Sequence, residues 1–290
     1  MTAPYRPRLR GAWHLAAIGS LAGCVTLTEL PRGVSSMGDG SLRVAAIACD
    51  AVRVPSPAAA GGVLDPRAIR LVTWNLHKQG DPGWERDLAR FAHDADVVLL
   101  QEAVLHDDLR ALLDADALRY TMASAFIYRD SDHGVVTASR VAPLAVCSER
   151  AAEPLFRIPK AALIAWYAIA GSDQSLAVVN LHAINFEVML TPYEAQLAAL
   201  VRVLARHPGP VVFAGDFNTW SDGRRAALRA AADALGLTEV PFDPDDRATF
   251  YGQQLDHVMV RGLAVTAALA TKVTSSDHNP VAVTLAVTPR

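Results

Sequence analysis

Carboxylates, amides and histidines recur in this chain where apolar runs end. Asn75 follows Leu71-Val72-Thr73-Trp74, and Glu102 follows Val97 to Gln101. His182 follows Leu176 to Leu181, and Asp216 and Asn218 follow Val211 to Gly215. Asp256 and His257 open one further apolar run, and Asp277-His278-Asn279 precedes another. Taken singly, a carboxylate at a strand end is more often a turn former or a solvated group. A histidine after a strand is more often a satisfied structural residue. Six such positions together carry more weight, because strand ends converge on one edge of a sandwich and can meet in one pocket. Oxygen-bearing side chains of this kind suit a hard divalent cation.

The elements that must position these groups alternate along the chain. Ile69, Leu71, Val72 and Trp74 read as a strand. Asp81-Pro82 then opens a helix with Trp84, Leu88 and Phe91 at helical spacing. Val97 to Leu100 has the length of a buried strand. Ala161 to Ile169 and Leu176 to Leu181 read as two more, separated by the turn Gly171-Ser172-Asp173. Thr191-Pro192-Tyr193-Glu194 reads as a capping box with proline at the first helical position. Its helix carries Leu197, Leu200, Val201 and Leu204 on one face and stops near His207-Pro208-Gly209. Pro210 to Ala214 is another strand, and Ser221 caps an Ala-rich helix. Strands at Leu255 to Val260 and Val281 to Val287 close the chain. Residues 67–290 are expected to form one α/β domain without internal repeats.

Composition bounds the function classes. The chain has 290 residues, 51% hydrophobic and 20% charged, which excludes a disordered chain, a disulfide-dense miniprotein and a collagen-like repeat. A formal net charge of -3 argues against a protein held on nucleic acid by bulk charge alone. No apolar run reaches the roughly 18 residues of an ordinary membrane-spanning helix. Arg6, Arg8 and Arg10 precede an uncharged run from Gly11 to Gly23, which has the shape of a secretory signal. Its end, Leu21-Ala22-Gly23-Cys24, resembles the lipobox of bacterial lipoproteins. That resemblance implies cleavage before Cys24, acylation of its thiol, and an exported protein anchored in the cell envelope, facing the periplasm or the outside. An ordinary signal peptide or an N-terminal core helix is the alternative. Residues 1–24 are thus expected as signal, and the Gly-, Ser-, Pro- and Ala-rich residues 25–66 as tether and lead-in. Cys49 and Cys147 remain as an even pair, either disulfide-bonded or two buried thiols.

The segments Thr73-Trp74-Asn75, Gln101-Glu102, Asn180-Leu181-His182, Gly215-Asp216-Phe217-Asn218, Leu255-Asp256-His257 and Ser276-Asp277-His278-Asn279-Pro280 resemble the endonuclease/exonuclease/phosphatase superfamily, in its order and at its approximate spacing. The resemblance implies a four-layer α/β sandwich of the deoxyribonuclease I-like type: two mixed β-sheets packed face to face with helices outside. It also implies hydrolysis of a phosphate ester with a divalent cation, Mg²⁺ or Mn²⁺. Glu102 then matches the principal metal ligand, and Asn75 and Asp277 match the other positions around the metal. Asp216 matches the residue that orients or deprotonates the attacking water. His278 matches the catalytic histidine and Asp256 its carboxylate partner, which fixes the tautomer and raises basicity. His182 matches a second histidine that faces the scissile phosphate. Whether His278 or Asp216 is the base stays open.

Asn218 lies two positions beyond Asp216, on the same side if the segment is extended, where its amide can hold a phosphate oxygen. Asn185 is a further candidate for phosphate contact. Asp132 and Glu153 are the candidates for a carboxylate partner to His182. His257 is read as a bystander, and His133 has no assigned role. Arg140, Arg157 and Lys160 can bind phosphate. Three lysines stand against 24 arginines, a skew that reads as coding bias, so arginines are not taken individually as ligands.

Three functions compete. The first is a metal-dependent phosphodiesterase acting on nucleic acid. The second is the same chemistry on a phospholipid head group, beside a membrane reached through Cys24. No exposed aromatic hairpin that would engage a bilayer is legible in the sequence. The third is a non-catalytic binding module. A monomer is expected for a single tethered domain.

Overall fold

The computed structural model describes residues 34–37, 43–45, 48–153, 158–185 and 189–289. Its strands, in chain order, begin with β1 (Val34–Met37), β2 (Arg43–Ala45), β3 (Ile69–Asn75), β4 (Val97–Val104), β5 (Arg119–Tyr128) and β6 (Ser131–Ser139). There follow β7 (Ala145–Ala152), β8 (Pro159–Ala168), β9 (Ser175–His182), β10 (Val211–Asp216) and β11 (Thr238–Glu239). The last are β12 (Thr249–Phe250), β13 (Gln253–Gln254), β14 (Asp256–Arg261), β15 (Leu263–Ala270) and β16 (Val281–Val287). Four α-helices accompany them: α1 (Trp84–Ala92), α2 (Asp107–Ala115), α3 (Leu190–Leu204) and α4 (Asp222–Leu235).

Eight strands form one sheet, in the order β15-β16-β3-β4-β6-β5-β1-β2, and six form a second, β11-β14-β10-β9-β8-β7. Both are mixed: β3–β4 and β9–β10 pair in parallel, and the other named pairs are antiparallel. Alternation along the strands sorts the apolar residues. Ile69, Leu71, Val97 and Leu99 face Tyr167, Val178, Val212 and Val258 of the other sheet. Val72, Trp74, Val98 and Leu100 point outward, onto Trp84 and Leu88 of α1 and Leu109 and Leu113 of α2. On the far side Ile164, Val179 and Phe213 pack on Tyr193, Leu197 and Leu200 of α3 and on Leu228 and Leu235 of α4. Each central strand is buried on both faces, hence its near-continuous apolar run. The result is the four-layer α/β sandwich.

Part of the stretch read as a lead-in is structured. Within 25–66, β1 pairs with β5 and β2 with β1, and Leu64 bridges to Ile169. Cys49 and Cys147 are disulfide-bonded, with Cα atoms 5.0 Å apart, so the lead-in is fastened to β7. Closing a loop of 98 residues removes about 4–5 kcal/mol of unfolded-state entropy in the chain-entropy account.

Two cap readings meet different fates. Ser221 caps α4 as expected, accepting from the Arg224 N–H. Thr191 does not cap α3: the helix begins at Leu190, with Met189 as the N-cap residue. The Leu190 side chain sits where Gly223 of α4 has no Cβ, and this packing places the helix start ahead of the polar signal. Pro192 still falls in the first turn, where no N–H is missed.

Candidate active site

Strand register builds the site. In β10, Asp216 lies opposite His182 of β9 on one side and Asp256 of β14 on the other. Three residues far apart in sequence thereby stand in one row at one sheet end. From the facing sheet, β3 and β4 pair Asn75 with Gln101, and Glu102 follows. Glu102 has a left-handed φ of 47° and sits in a register shift between β4 and β6. Such a bulge re-aims a side chain, and it points the Glu102 carboxylate into the pocket. The two sheets are stitched beneath: Gln101 Nε2 donates to Asn180 Oδ1 at 2.7 Å, and Asn180 Nδ2 to the Val136 carbonyl at 2.8 Å. The loop carrying Asp277 and His278 is tied to β3. Trp74 Nε1 donates to the His278 carbonyl at 2.9 Å, and Ser276 Oγ to that of Asn75 at 2.7 Å.

The cavity these elements enclose has a volume of about 880 Å³, and Asn75, Glu102, His182, Asn185, Asp216, Asn218, Asp277 and His278 all line it. Asp216 is the hub. Its Oδ2 accepts from Asn75 Nδ2 at 3.0 Å and lies 3.6 Å from His182 Nε2 and 3.9 Å from His278 Nε2. His278 Nδ1 meets Asp256 Oδ2 at 2.7 Å, the expected His–carboxylate pair. Burial and the nearby Asp256 raise the Asp216 carboxyl to about 6, although His278 opposes the shift. At His278 burial disfavours the imidazolium, but Asp256 and Asp216 outweigh it and push the group up to about 10. Glu102 is the reverse case: burial favours its neutral acid, but the Lys160 and Lys78 ammonium groups hold it down at about 2.

Several expectations need correction. Asn218 is not on an extended segment; its φ is 51°, and its Nδ2 donates to the Ala183 carbonyl at 3.1 Å. Its backbone N–H instead anchors Asp216 Oδ1 at 2.9 Å. Asn185 does line the cavity, as its candidacy requires, with its Oδ1 accepting from Trp220 Nε1 at 3.0 Å. Neither proposed partner serves His182. Asp132 accepts from Ser124 Oγ at 2.6 Å, and Glu153 from the Asn185 N–H at 2.9 Å. Lys160 Nζ sits 3.0 Å from His182 Nε2, and an ammonium has only protons to offer, so that nitrogen accepts. Burial and Lys160 accordingly hold His182 well below its ordinary value. Arg140 is structural, donating to the carbonyls of Ala95 and Asp116. Arg157 and Cys24 lie outside the described residues.

His257 stays outside the pocket, as its bystander reading requires: its Nδ1 meets Glu239 Oε1 and its Nε2 Thr219 Oγ1, both at 2.7 Å. His133 lines the cavity and stacks on Phe126 at 4.8 Å between centroids.

Lys78, Arg224, Phe250 and Tyr251 went unread in the sequence, and Lys160 was read there only as a phosphate binder. Lys78 contacts Glu102 Oε2, and Lys160 lies 3.8 Å from Oε1, so two of the chain's three lysines attend one carboxylate. Their rarity beside the arginines was the available signal. Arg224, 1% exposed, donates to the Asn185 carbonyl at 2.7 Å and to that of Asn218 at 3.3 Å, clamping both pocket loops from behind. Nothing local marks it among so many arginines. Phe250 and Tyr251, 50% and 81% exposed, stand on the β12–β13 hairpin at the cavity rim. An exposed aromatic hairpin is therefore present, contrary to the sequence reading. Its strands are only two residues long, too short to show periodicity.

The sequence profile of the endonuclease/exonuclease/phosphatase family matches residues 72–278, from β3 to the His278 loop. The chain belongs to this family. Curated relatives include a UPF0294 protein of Vibrio parahaemolyticus, 36% identical over 270 residues, 93% of each chain. A UPF0294 protein of Klebsiella pneumoniae is 38% identical over 215 residues, 74% of this chain and 81% of that one. Among solved structures, the human Nocturnin catalytic domain with bound sulfate superposes with a TM-score of 0.59 at 19% identity. It covers 81% of this chain and 100% of its own. Zebrafish TDP2 complexed with single-strand DNA product gives a TM-score of 0.55 at 17% identity, covering 75% and 98%. These likenesses agree with the observed sandwich of two mixed sheets. Family enzymes are generally phosphoester hydrolases and typically use divalent metals.

Among the described residues, Asp216, Asp256 and His278 form the one group whose ligand-type atoms all lie within 4.8 Å of one another. With His278 Nε2 turned to Asp216 inside the cavity, these groups can handle protons. Glu102, Asn75 and Asp277 share the cavity as oxygen donors, and Glu102 already gathers cationic groups. That chemistry fits a hard divalent cation.

Proposed function

We propose that this protein hydrolyses phosphodiesters with Mg²⁺ or Mn²⁺, by in-line attack of an activated water, and that its substrate is nucleic acid. The single observation that carries the reading is the row of Asp216 between His182 and Asp256, with His278 Nε2 facing the same carboxylate. Glu102, with Asn75 and Asp277, would hold the cation, which when bound neutralises phosphate oxygens as a Lewis acid.

The chain's own groups divide the remaining work. Asp216 takes the proton of the attacking water. Its elevated value of about 6 leaves it ionised yet basic at neutral pH, which suits a general base. His278, held protonated by Asp256, presents Nε2–H to the phosphate and supplies the proton that the departing oxygen needs. Lys160 brings positive charge to the same wall, and His182 orients it by accepting a hydrogen bond from its ammonium.

Purified protein incubated with plasmid DNA, RNA, sphingomyelin or bis-p-nitrophenyl phosphate tests this, each with Mg²⁺, Mn²⁺ or chelator. Chelator-sensitive cleavage of nucleic acid is the expected result. Hydrolysis of sphingomyelin alone would transfer the reading to phospholipid head groups, which the exposed Phe250–Tyr251 tip favours as a second reading. Failure of every substrate, with no thermal shift on adding Mn²⁺, would leave a binding module.

We further propose that the protein is exported and acylated at Cys24, which would place the monomer on a membrane of the cell envelope. Metabolic labelling with palmitate, lost in Cys24→Ser, is the expected outcome. Equal labelling of the variant would remove the anchor.

A further inference from the structure

We infer that the pocket mouth carries a stacking platform for an unpaired nucleobase, formed by Phe250 and Tyr251, so that the substrate is single-stranded. This rests on the nucleic-acid reading above and specifies the form of the strand.

Among the exposed large hydrophobic side chains of the described residues, Phe250 and Tyr251 are the aromatic ones, and both line the cavity that holds Asp216 and His278. Their ring centroids are 4.4 Å apart. Tyr251 and Gly252, with φ of 49° and 75°, are the central residues of the hairpin turn. Both positions need left-handed backbone, which Gly and Asn adopt most easily and a bulky residue adopts at a cost. Here that strained position holds a tyrosine that is 81% exposed and whose recorded ring contact is Phe250, inclined to it at 55°. Strain kept for so little burial points to function.

The tip is mounted rigidly. At the hairpin base, the Leu255 N–H donates to the Ala248 carbonyl at 3.1 Å, and the Phe217 N–H to the Leu255 carbonyl at 2.9 Å. The chain then runs directly into Asp256. Rings and proton-handling groups thus belong to one framework, as a binding site requires.

The charges around the mouth select the occupant. Among the described residues lining the cavity, the only lysines or arginines are Lys78 and Lys160, both engaged at Glu102. A duplex groove gains affinity by tracking many phosphates with cations. A single-strand site also uses cations, but adds aromatic faces that accept any base, provided the base is unpaired. A lipid-inserting tip is usually flanked by lysine or arginine. Thr249 to Gln254 carries neither, and Asp243, Asp245 and Asp246 lie just upstream. Arg247, the nearest arginine, is held by Asp245 and Glu239.

The test is fluorescence anisotropy with the full chain in chelator, where no strand is cut. The probes are a labelled oligothymidylate, an abasic strand of equal length and the corresponding duplex. Oligothymidylate should bind at least about 10-fold more tightly than either of the others, the scale of base–aromatic stacking. The double variant Phe250→Leu, Tyr251→Leu keeps apolar area but loses the ring faces, and should fall to the abasic level. Tyr251→Trp should retain the preference. Equal binding of abasic and base-bearing strands, or no binding of either, overturns the platform, as does wild-type affinity in the leucine variant. Sedimentation with phosphatidylcholine–phosphatidylglycerol vesicles that survives the leucine changes overturns it in favour of lipid. Chelator-sensitive DNA cleavage without base preference would remove the platform alone. Absence of cleavage in any metal would remove the nuclease reading, and the anisotropy comparison would still decide the platform.

Discussion

Two histidine–carboxylate pairs each draw one member from the start of β14, Asp256 and His257, and their central bonds are identical in length. His278 Nδ1 meets Asp256, and His257 Nδ1 meets Glu239, each at 2.7 Å. The difference lies at the other ring nitrogen. His278 Nε2 faces Asp216 across 3.9 Å at the cavity, where its proton can reach a substrate oxygen. His257 Nε2 is closed off by the Thr219 hydroxyl at 2.7 Å. The carboxylates differ as well: the Asp256 side chain is 4% exposed, whereas that of Glu239 is 45% exposed and also binds Arg247. A His–carboxylate bond is therefore no mark of catalysis. What the free nitrogen faces decides it.

The largest effect should break the symmetry outright. His278→Ala or Asp216→Ala should lower the rate at least about 100-fold, the scale of acid–base groups. His257→Ala should leave the rate within a few-fold and instead cost about 1–2 kcal/mol of stability, as for one lost buried hydrogen-bonded group. Steady-state kinetics beside denaturant melts check both. A slow His257→Ala, or an active His278→Ala, would erase the distinction.

A smaller effect concerns the two buried guanidinium groups behind these regions. Arg224 clamps carbonyls of the pocket loops, while Arg247 joins partly exposed carboxylates. Arg224→Met should cost about 2–4 kcal/mol, because it orphans buried carbonyls, and should also slow turnover. Arg247→Met should cost about half as much, since water can re-solvate its carboxylate partners and of its carbonyl contacts only that to buried Asp256 is lost. Urea unfolding midpoints for the two variants test that order.

The smallest effect separates the pairs by pH. Bonding to His257 holds the Glu239 carboxyl down at about 2. A depressed carboxyl contributes stability above its ordinary value of 4.5, lost as pH falls from there through about 2. His278 is raised to about 10 despite its burial, so its contribution is full below 6.5 and lost as pH rises through about 10. Melting temperatures should fall on the acid side less in Glu239→Gln than in wild type, and on the alkaline side less in Asp256→Asn. Coincident curves for either variant would show that its pair does not carry the shift.

Much of this was legible beforehand because it is local. Ile69, Leu71, Val97 and Leu99 alternate with Val72, Trp74, Val98 and Leu100, so strand length and two-sided burial follow from spacing alone. The polar residues that follow these runs had to lie at strand ends. Thr191 misled because packing of Leu190 against Gly223 outweighed a capping preference worth about 1 kcal/mol. The Phe250–Tyr251 hairpin escaped because two-residue strands carry no period.

The amino-acid sequence by itself determined which residues could do chemistry and the order in which strands deliver them. Only the tertiary structure decided which of them meet. Asp256 and His257 are adjacent, yet β14 turns them to opposite sides, and its pairing with β10 sets Asp256 beside Asp216. That pairing depends on contacts between segments about 40 residues apart, and a slip of one position would exchange the two side chains. Short-range spacing carries no record of such a choice; only packing of the two sheets fixes it.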